Sequence, residues 1–172
     1  MDIFIEKLVA KKRDGKDIAF IVGMILLTLL LSFVVLMFFG ILFGFEFAII
    51  IGLFFGCFWL ISTRNIEFEY SLTNNEMDID KIINRRRRKR IVTVNARKMD
   101  MLAPTTSPEY QRESNSATIA RTYNCASGNP GSRTYFATFY DRDGLKCLLL
   151  FEPNEKMIDG FRRYARNKVI DS

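Results

Sequence analysis

The sequence predicts a membrane α-helical hairpin followed by a mainly β domain: two antiparallel sheets, of four and three strands, closed by a C-terminal helix. Three observations carry this fold class. Residues 18–62 form one apolar block in which Glu46 is the only charged residue. After Ser62 the apolar positions stop recurring at helical spacing and begin to alternate, the signature of half-buried strands. Near the C-terminus Met157, Ile158, Phe161, Tyr164 and Ala165 return to helical spacing and form an amphipathic stripe.

Segment 1–17 places Ile5, Leu8 and Val9 on one helical face and Lys7, Lys11 and Lys12 on the polar side. It reads as an amphipathic N-terminal helix lying at a membrane surface. The apolar block is about twice the ~20 residues that cross a bilayer. As one helix it would rise roughly 67 Å at ~1.5 Å per residue, far beyond a ~30 Å hydrocarbon core. Two transmembrane helices follow, at about 18–39 and 47–62, with Gly40, Gly44 and Glu46 marking the turn. A signal peptide fits poorly, because its apolar core is only about 7–15 residues long.

No Lys or Arg stands between the two helices. Lys7, Lys11, Lys12, Arg13 and Lys16 precede them, and Arg64 and a basic run follow. The positive-inside rule then puts both termini in the cytoplasm of a multi-pass protein of the cell membrane. Gly52 and Gly56 have small-xxx-small spacing, which suits close packing of helices, within the hairpin or in a homo-oligomer. Glu46 falls at the turn and reads as a solvated carboxylate at the outer interface.

The remaining segment, 63–172, is long enough for one small domain. Phe68, Tyr70 and Leu72 alternate along 67–73. Asn74 and Asn75 form a turn. Met77, Ile79 and Ile83 oppose Glu76, Asp78 and Asp80 along 76–83. Third and fourth strands follow at 90–94 and 97–102. Segment 103–116, rich in Pro, Ser and Thr, reads as a loop. Strands at 118–125, 134–140 and 145–151 complete the sheets, and the nearly all-apolar last one implies burial on both faces.

Chemistry is sparse. The chain has no histidine, which removes the commonest general base and metal ligand. Its three cysteines, Cys57, Cys125 and Cys147, are too few for a four-ligand zinc site and suit reduced thiols. There is no phosphate loop, dinucleotide fingerprint or nucleophile elbow. Asp141 and Asp143 sit in a turn, where Asp is favoured for backbone reasons. The sequence therefore predicts no catalysis, no metal and no cofactor.

The sharpest polar feature is the run Arg85, Arg86, Arg87, Arg88, Lys89 and Arg90. Close in sequence to the membrane, it suits anionic phospholipid headgroups, at about 1 kcal/mol for each basic residue near the surface. A solvated turn partly paired with Glu76, Asp78 and Asp80 is the plainer reading. No interleaved aromatics point to specific nucleic-acid binding.

The stretch FEYSLTNNEMDIDKIINRRRRKRIVTV resembles the opening of bacterial pleckstrin-homology (PH)-like domains that follow membrane helices. CLLLFEPNEKMIDGFRRYA is similar to their last strand and closing helix. With its start, MDIFIEKLVAKKRDGKD, the chain resembles an uncharacterised family of small bacterial two-helix membrane proteins carrying such a domain. The resemblance implies the PH-like fold and brings no activity. The predicted function is a membrane-anchored, non-catalytic binding or scaffold module, displayed at the cytoplasmic surface and oriented by anionic lipid. Its protein partner would be recruited by open strand edges or by loop 103–116. The alternative is an accessory subunit of a transporter or other membrane complex, acting through the helical hairpin.

Overall fold

A computed structural model describes residues 4–38 and 44–170. The chain divides into two compact units, one made of the N-terminal strand and everything after Ile66, the other of Arg13–Ile66. The turn expected at Gly40 lies outside the described residues.

Among the described residues the β unit contains eight strands: β1 (Phe4–Ala10), β2 (Ile66–Thr73), β3 (Glu76–Ile83), β4 (Arg87–Asn95), β5 (Met99–Pro104), β6 (Arg121–Asn124), β7 (Tyr135–Tyr140) and β8 (Lys146–Phe151). They form two four-stranded sheets, ordered β1-β2-β3-β4 and β5-β7-β8-β6. This corrects the four-plus-three expectation in three ways. The N-terminal segment is not an amphipathic helix but the first strand, paired antiparallel to β2 from Phe4↔Thr73 to Ala10↔Glu67. Strand β5 leaves the first sheet for the second. Strand β6 runs parallel to β8, so the second sheet is mixed rather than antiparallel.

The period of two explains β1. Ile5, Lys7 and Val9 stand opposite Leu72, Tyr70 and Phe68, the core-facing residues of β2. Lys7 keeps its charge out of the core by reaching the carbonyl of Glu152 with its Nζ at 2.7 Å.

Between the sheets lie Tyr70, Leu72, Met77, Ile79, Leu149 and Phe151, all fully buried. Helix α4 (Glu155–Ala165) closes them, capped by Asn154, whose Oδ1 accepts from the Met157 amide at 2.8 Å. Its Phe161 ring meets Phe151 at 6.4 Å, and Phe151 meets Tyr70 edge-on at 5.8 Å. Gly160 sits so close to β2 that a Cβ there would stand 2.6 Å from Leu72 Cδ2.

The expected loop 103–116 is largely structured. Ala103 and Pro104 belong to β5, and Pro108–Ser114 form a short helix, α3. Tyr110 of α3 packs on Phe136 at 5.4 Å, and with Ile119 and Ile170 it covers a second apolar cluster of Ala103, Phe136 and Leu148. Both faces of β8 are thereby buried, the physical reason for its nearly all-apolar sequence after Lys146.

In the other unit, α1 (Gly15–Met37) is long and apolar enough to cross a membrane, and α2 (Glu46–Ser62) is a shorter apolar helix packed against it. They run antiparallel: Arg64, just past α2, pairs with Asp17 in the first turn of α1 at 3.5 Å and stacks over the Phe20 ring at 4.1 Å. Their buried residues are Thr28, Ser32, Glu46 and Cys57, while leucines and phenylalanines face outward. Glu46 is therefore not the solvated interfacial carboxylate expected, being 1 % exposed. Nor do Gly52 and Gly56 bring the two helices together, since a Cβ at either would meet nothing within 4 Å.

Candidate functional site

The basic run falls where β3 turns into β4, and strand geometry divides it. Asn84 and Arg85 both have positive φ, 50° and 54°. The Arg86 amide donates to the Ile83 carbonyl at 3.1 Å, closing a tight hairpin turn. Arg85 and Arg86 occupy this tip; Arg87, Arg88, Lys89 and Arg90 begin β4. All six are exposed.

Along β4 alternate side chains take opposite faces. Register puts Arg88 opposite Ile82 and Arg90 opposite Asp80, on the outer face of the sheet. That face also carries Glu67 and Glu69 of β2 and Asp78 of β3, since Phe68, Tyr70, Met77 and Ile79 turn to the core. The charges join in a chain. Arg88 pairs with Glu69 and lies 3.8 Å from Asp80; Arg90 pairs with Asp80 and, at 2.6 Å, with Asp78. Thr93 Oγ1 donates to Asp78 at 2.6 Å. The hydrogen bond that Arg90 donates to Asp80 raises the Arg90 pKa further, with the charges of Asp78 and Asp80 adding to it. Two of the six cations are thus committed to a carboxylate network inside the domain.

Arg85 makes a looser, solvent-exposed pair with Glu67 at 3.3 Å, a contact of small energetic value. Among the described residues Arg86, Arg87 and Lys89 make no ion pair. Lys89 and Arg87 stand opposite Lys81 and Ile83, so the inner side of the tip gathers like charge. The six-residue run is therefore two structures: an outer face where carboxylates cancel Arg88 and Arg90, and an uncancelled cluster of Arg86, Arg87 and Lys89.

Strand β4 is also an edge of its sheet, and its register slips between Ile79 and Asp80. Cations and bulges are the usual guards of an open edge against unwanted strand pairing. Past the slip, a cleft of about 450 Å³ is lined by Arg90, Ile91, Val92, Thr93 and Asn95 of β4 together with Lys98, Phe139, Tyr140, Asp141 and Arg142.

The other groups singled out by sequence have structural surroundings. Asp141 accepts from the amides of Asp143 and Leu145, both at 2.9 Å, and holds Arg121 at 3.1 Å, the work of a turn residue. Burial pushes the Cys125 thiol up to about 12, and burial followed by the Asp141 charge raises Cys147. Both are buried thiols with little nucleophilic thiolate. Among the described residues no three His, Cys, Asp or Glu side chains are grouped to hold a metal.

Sequence reasoning missed Glu152. Its buried Oε1 accepts from the Ser127 amide at 2.9 Å, Ser127 Oγ at 2.7 Å and Ser132 Oγ at 2.8 Å, pinning the turn-rich segment after β6. The only signal was a lone acid following an apolar strand.

A family model described as Bacterial PH-like domain (DUF6106) matches residues 1–171. No curated protein and no solved structure matches the chain.

Proposed function

The chain belongs to this family of bacterial PH-like domains, and from that premise we propose that it is a non-catalytic binding module. It is anchored in the cell membrane by a two-helix hairpin and held against the cytoplasmic surface by anionic lipid. Chain connectivity supports the anchor. Strands β1 and β2 pair residue for residue, yet α1 and α2 lie between them in sequence. If α1 crosses the bilayer alone, β1 and β2 end on opposite sides and cannot pair. A return through α2 resolves this. Its 17 residues rise about 25 Å, near the lower limit for a span. The sided distribution of Lys and Arg then favours cytoplasmic termini.

The observation that carries the lipid reading is the uncancelled cluster Arg86, Arg87 and Lys89 at the hairpin tip. At about 1 kcal/mol each, three cations give about 3 kcal/mol. That is too weak to anchor a free domain but enough to orient one already tethered. The positive φ of Arg85 supports the same reading, because a Gly there would cost the backbone less.

The test uses the full chain in vesicles, with its native cysteines replaced and a fluorophore on Asn84→Cys. Brominated phosphatidylglycerol is expected to quench the probe strongly and brominated phosphatidylcholine weakly. High salt or Arg86→Glu/Arg87→Glu/Lys89→Glu should remove the difference. Equal quenching by both lipids would sink the proposal.

A second reading, an accessory subunit acting through the hairpin, is favoured by one observation. The Gly52 and Gly56 face is left unused by α1 and is open to another membrane helix, from a partner or a second copy. Under that reading Gly52→Leu/Gly56→Leu would abolish co-purification of a membrane partner while the lipid response of the tip persisted.

A further inference from the structure

Strand β4 carries two contrasting halves. From Arg87 to Arg90 its edge is guarded by charge, and the pairing with β3 slips by one residue at Ile91. From Ile91 to Asn95 the edge is open along the cleft. No strand pairs with it on that side among the described residues, so every second residue directs its amide and carbonyl outward. Ile91 and Val92 are half-buried, and the cleft lining also offers the Tyr140 ring, 54 % exposed. This is a surface with backbone hydrogen-bonding capacity and apolar footing, the two requirements for adding an extended segment to a sheet.

The charges around the cleft select the occupant. Arg90 is committed to Asp78 and Asp80, and Asp141 to Arg121 and its own turn. Lys98 and Arg142, both lining the cleft, are exposed and make no ion pair among the described residues. An incoming strand meets the uncancelled charges of Lys98 and Arg142, while Asp141 is turned to Arg121. A basic or neutral strand is repelled or poorly held. An acidic one is matched, and the edge guard becomes a filter.

We propose that the open edge of β4 at residues 91–95 accepts an extended acidic peptide as a fifth strand, its carboxylates held by Lys98 and Arg142. This rests on the binding-module reading and names the kind of partner that module takes. The cations involved differ from those assigned to lipid, so each assignment can fail alone.

The experiment uses the full chain in phosphatidylcholine nanodiscs and a fluorescein-labelled peptide alternating glutamate with valine. The peptide should bind and slow amide exchange at residues 91–95. An alternating lysine–valine peptide should not bind. Lys98→Glu/Arg142→Glu should weaken binding about tenfold or more, as expected for losing two charge contacts. N-methylating alternate amides of the peptide should abolish binding, because the backbone supplies the pairing. Equal binding of the two peptides, no response to the double variant, or indifference to N-methylation would each overturn the proposal. Fluorescence quenching at Asn84→Cys by phosphatidylglycerol, measured on the same double variant, reports the lipid contact separately. Loss of that signal instead of peptide binding would assign the cleft cations to the membrane and overturn the peptide site.

Discussion

The two units of this chain bury opposite kinds of residue. In the β unit the interior is Tyr70, Phe136, Phe151 and Phe161, and its buried acids are each held by partners, as Glu152 is by Ser127 and Ser132. In the helical unit the buried residues include Thr28, Ser32 and Glu46, while Leu26, Leu30, Phe33, Phe55 and Phe58 face outward. A protein surface in water does not carry a continuous sleeve of leucine and phenylalanine. In lipid the same sleeve is ordinary, and the small polar side chains belong between helices, where they can find partners. The contrast is the one that the proposed membrane anchor requires, a chain folded for two solvents, and substitutions can test each half against its own.

The largest effect is expected in the β core. Phe151→Ala removes a ring that touches both Tyr70 and Phe161, and should cost about 3–5 kcal/mol. Amide hydrogen exchange of the β strands would report it, with the helices unchanged. A cost near 1 kcal/mol would mean that the core collapses around the gap.

The counterpart in the helices is Leu30→Lys, at a position 61 % exposed. On a water-facing helix this change is close to neutral. At the centre of a bilayer span it should cost about 3 kcal/mol and lower the membrane-inserted fraction. Unchanged insertion in a translocation assay would remove α1 from the lipid and, with it, the anchor.

Two glycines sharpen the same contrast at about 1–3 kcal/mol. Gly160→Ala drives a methyl against Leu72, whereas Gly23→Ala in α1 meets nothing within 4 Å. The first should destabilise the β unit, and the second should leave both units intact. Hydrogen exchange again separates them. Equal effects would place the tight helix–sheet approach elsewhere.

Alkaline pH should loosen the β unit. Burial holds the Cys125 pKa near 12, against an ordinary 9.0, and burial also raises that of Tyr70. The folded state keeps protons that the unfolded state releases. This stabilisation is complete below pH 9 and declines from there toward pH 12, by about 1.4 kcal/mol per pH unit for each retained proton. Cys125→Ala should flatten the first part of that decline in a pH series of thermal unfolding. An unchanged profile would assign the loss to other groups.

How much of this was legible depended on distance along the chain. The β2–β3 hairpin is readable because its alternation, its Asn turn and its partner are all local. Strand β1 is not. Ile5, Leu8 and Val9 suit a helix as well as Ile5, Lys7 and Val9 suit a strand, and the deciding partner, β2, begins only after two helices. Lys7 misleads further, since its inward position makes sense only beside the Glu152 carbonyl. In α3 the start signal, Ser107 before Pro108, was present but was outweighed by polar composition with one aromatic anchor, Tyr110. The basic run was found by sequence as a block. Its division was latent in the alternation of Glu67, Glu69, Asp78 and Asp80, and became visible only once β4 was known to begin at Arg87.

The smallest expected effect addresses the tip itself. Arg85 holds a left-handed backbone, φ 54°, that glycine adopts without cost. Its pair with Glu67 is exposed and weak. If the side chain served only the hairpin, Arg85→Gly would be a plain improvement, raising the stability of the β unit by about 1 kcal/mol through relief of strain. On the lipid reading the same variant gives up about 1 kcal/mol of attraction to an anionic surface. The two quantities therefore move in opposite directions. Hydrogen exchange of β3 and β4 should slow while phosphatidylglycerol quenching of the Asn84→Cys probe falls. A gain in stability with undiminished quenching would leave Arg85 outside the lipid contact and confine that contact to Arg86, Arg87 and Lys89. A loss of stability would instead show that the Glu67 pair outweighs the backbone, and that the turn is held by charge on both sides of the strand.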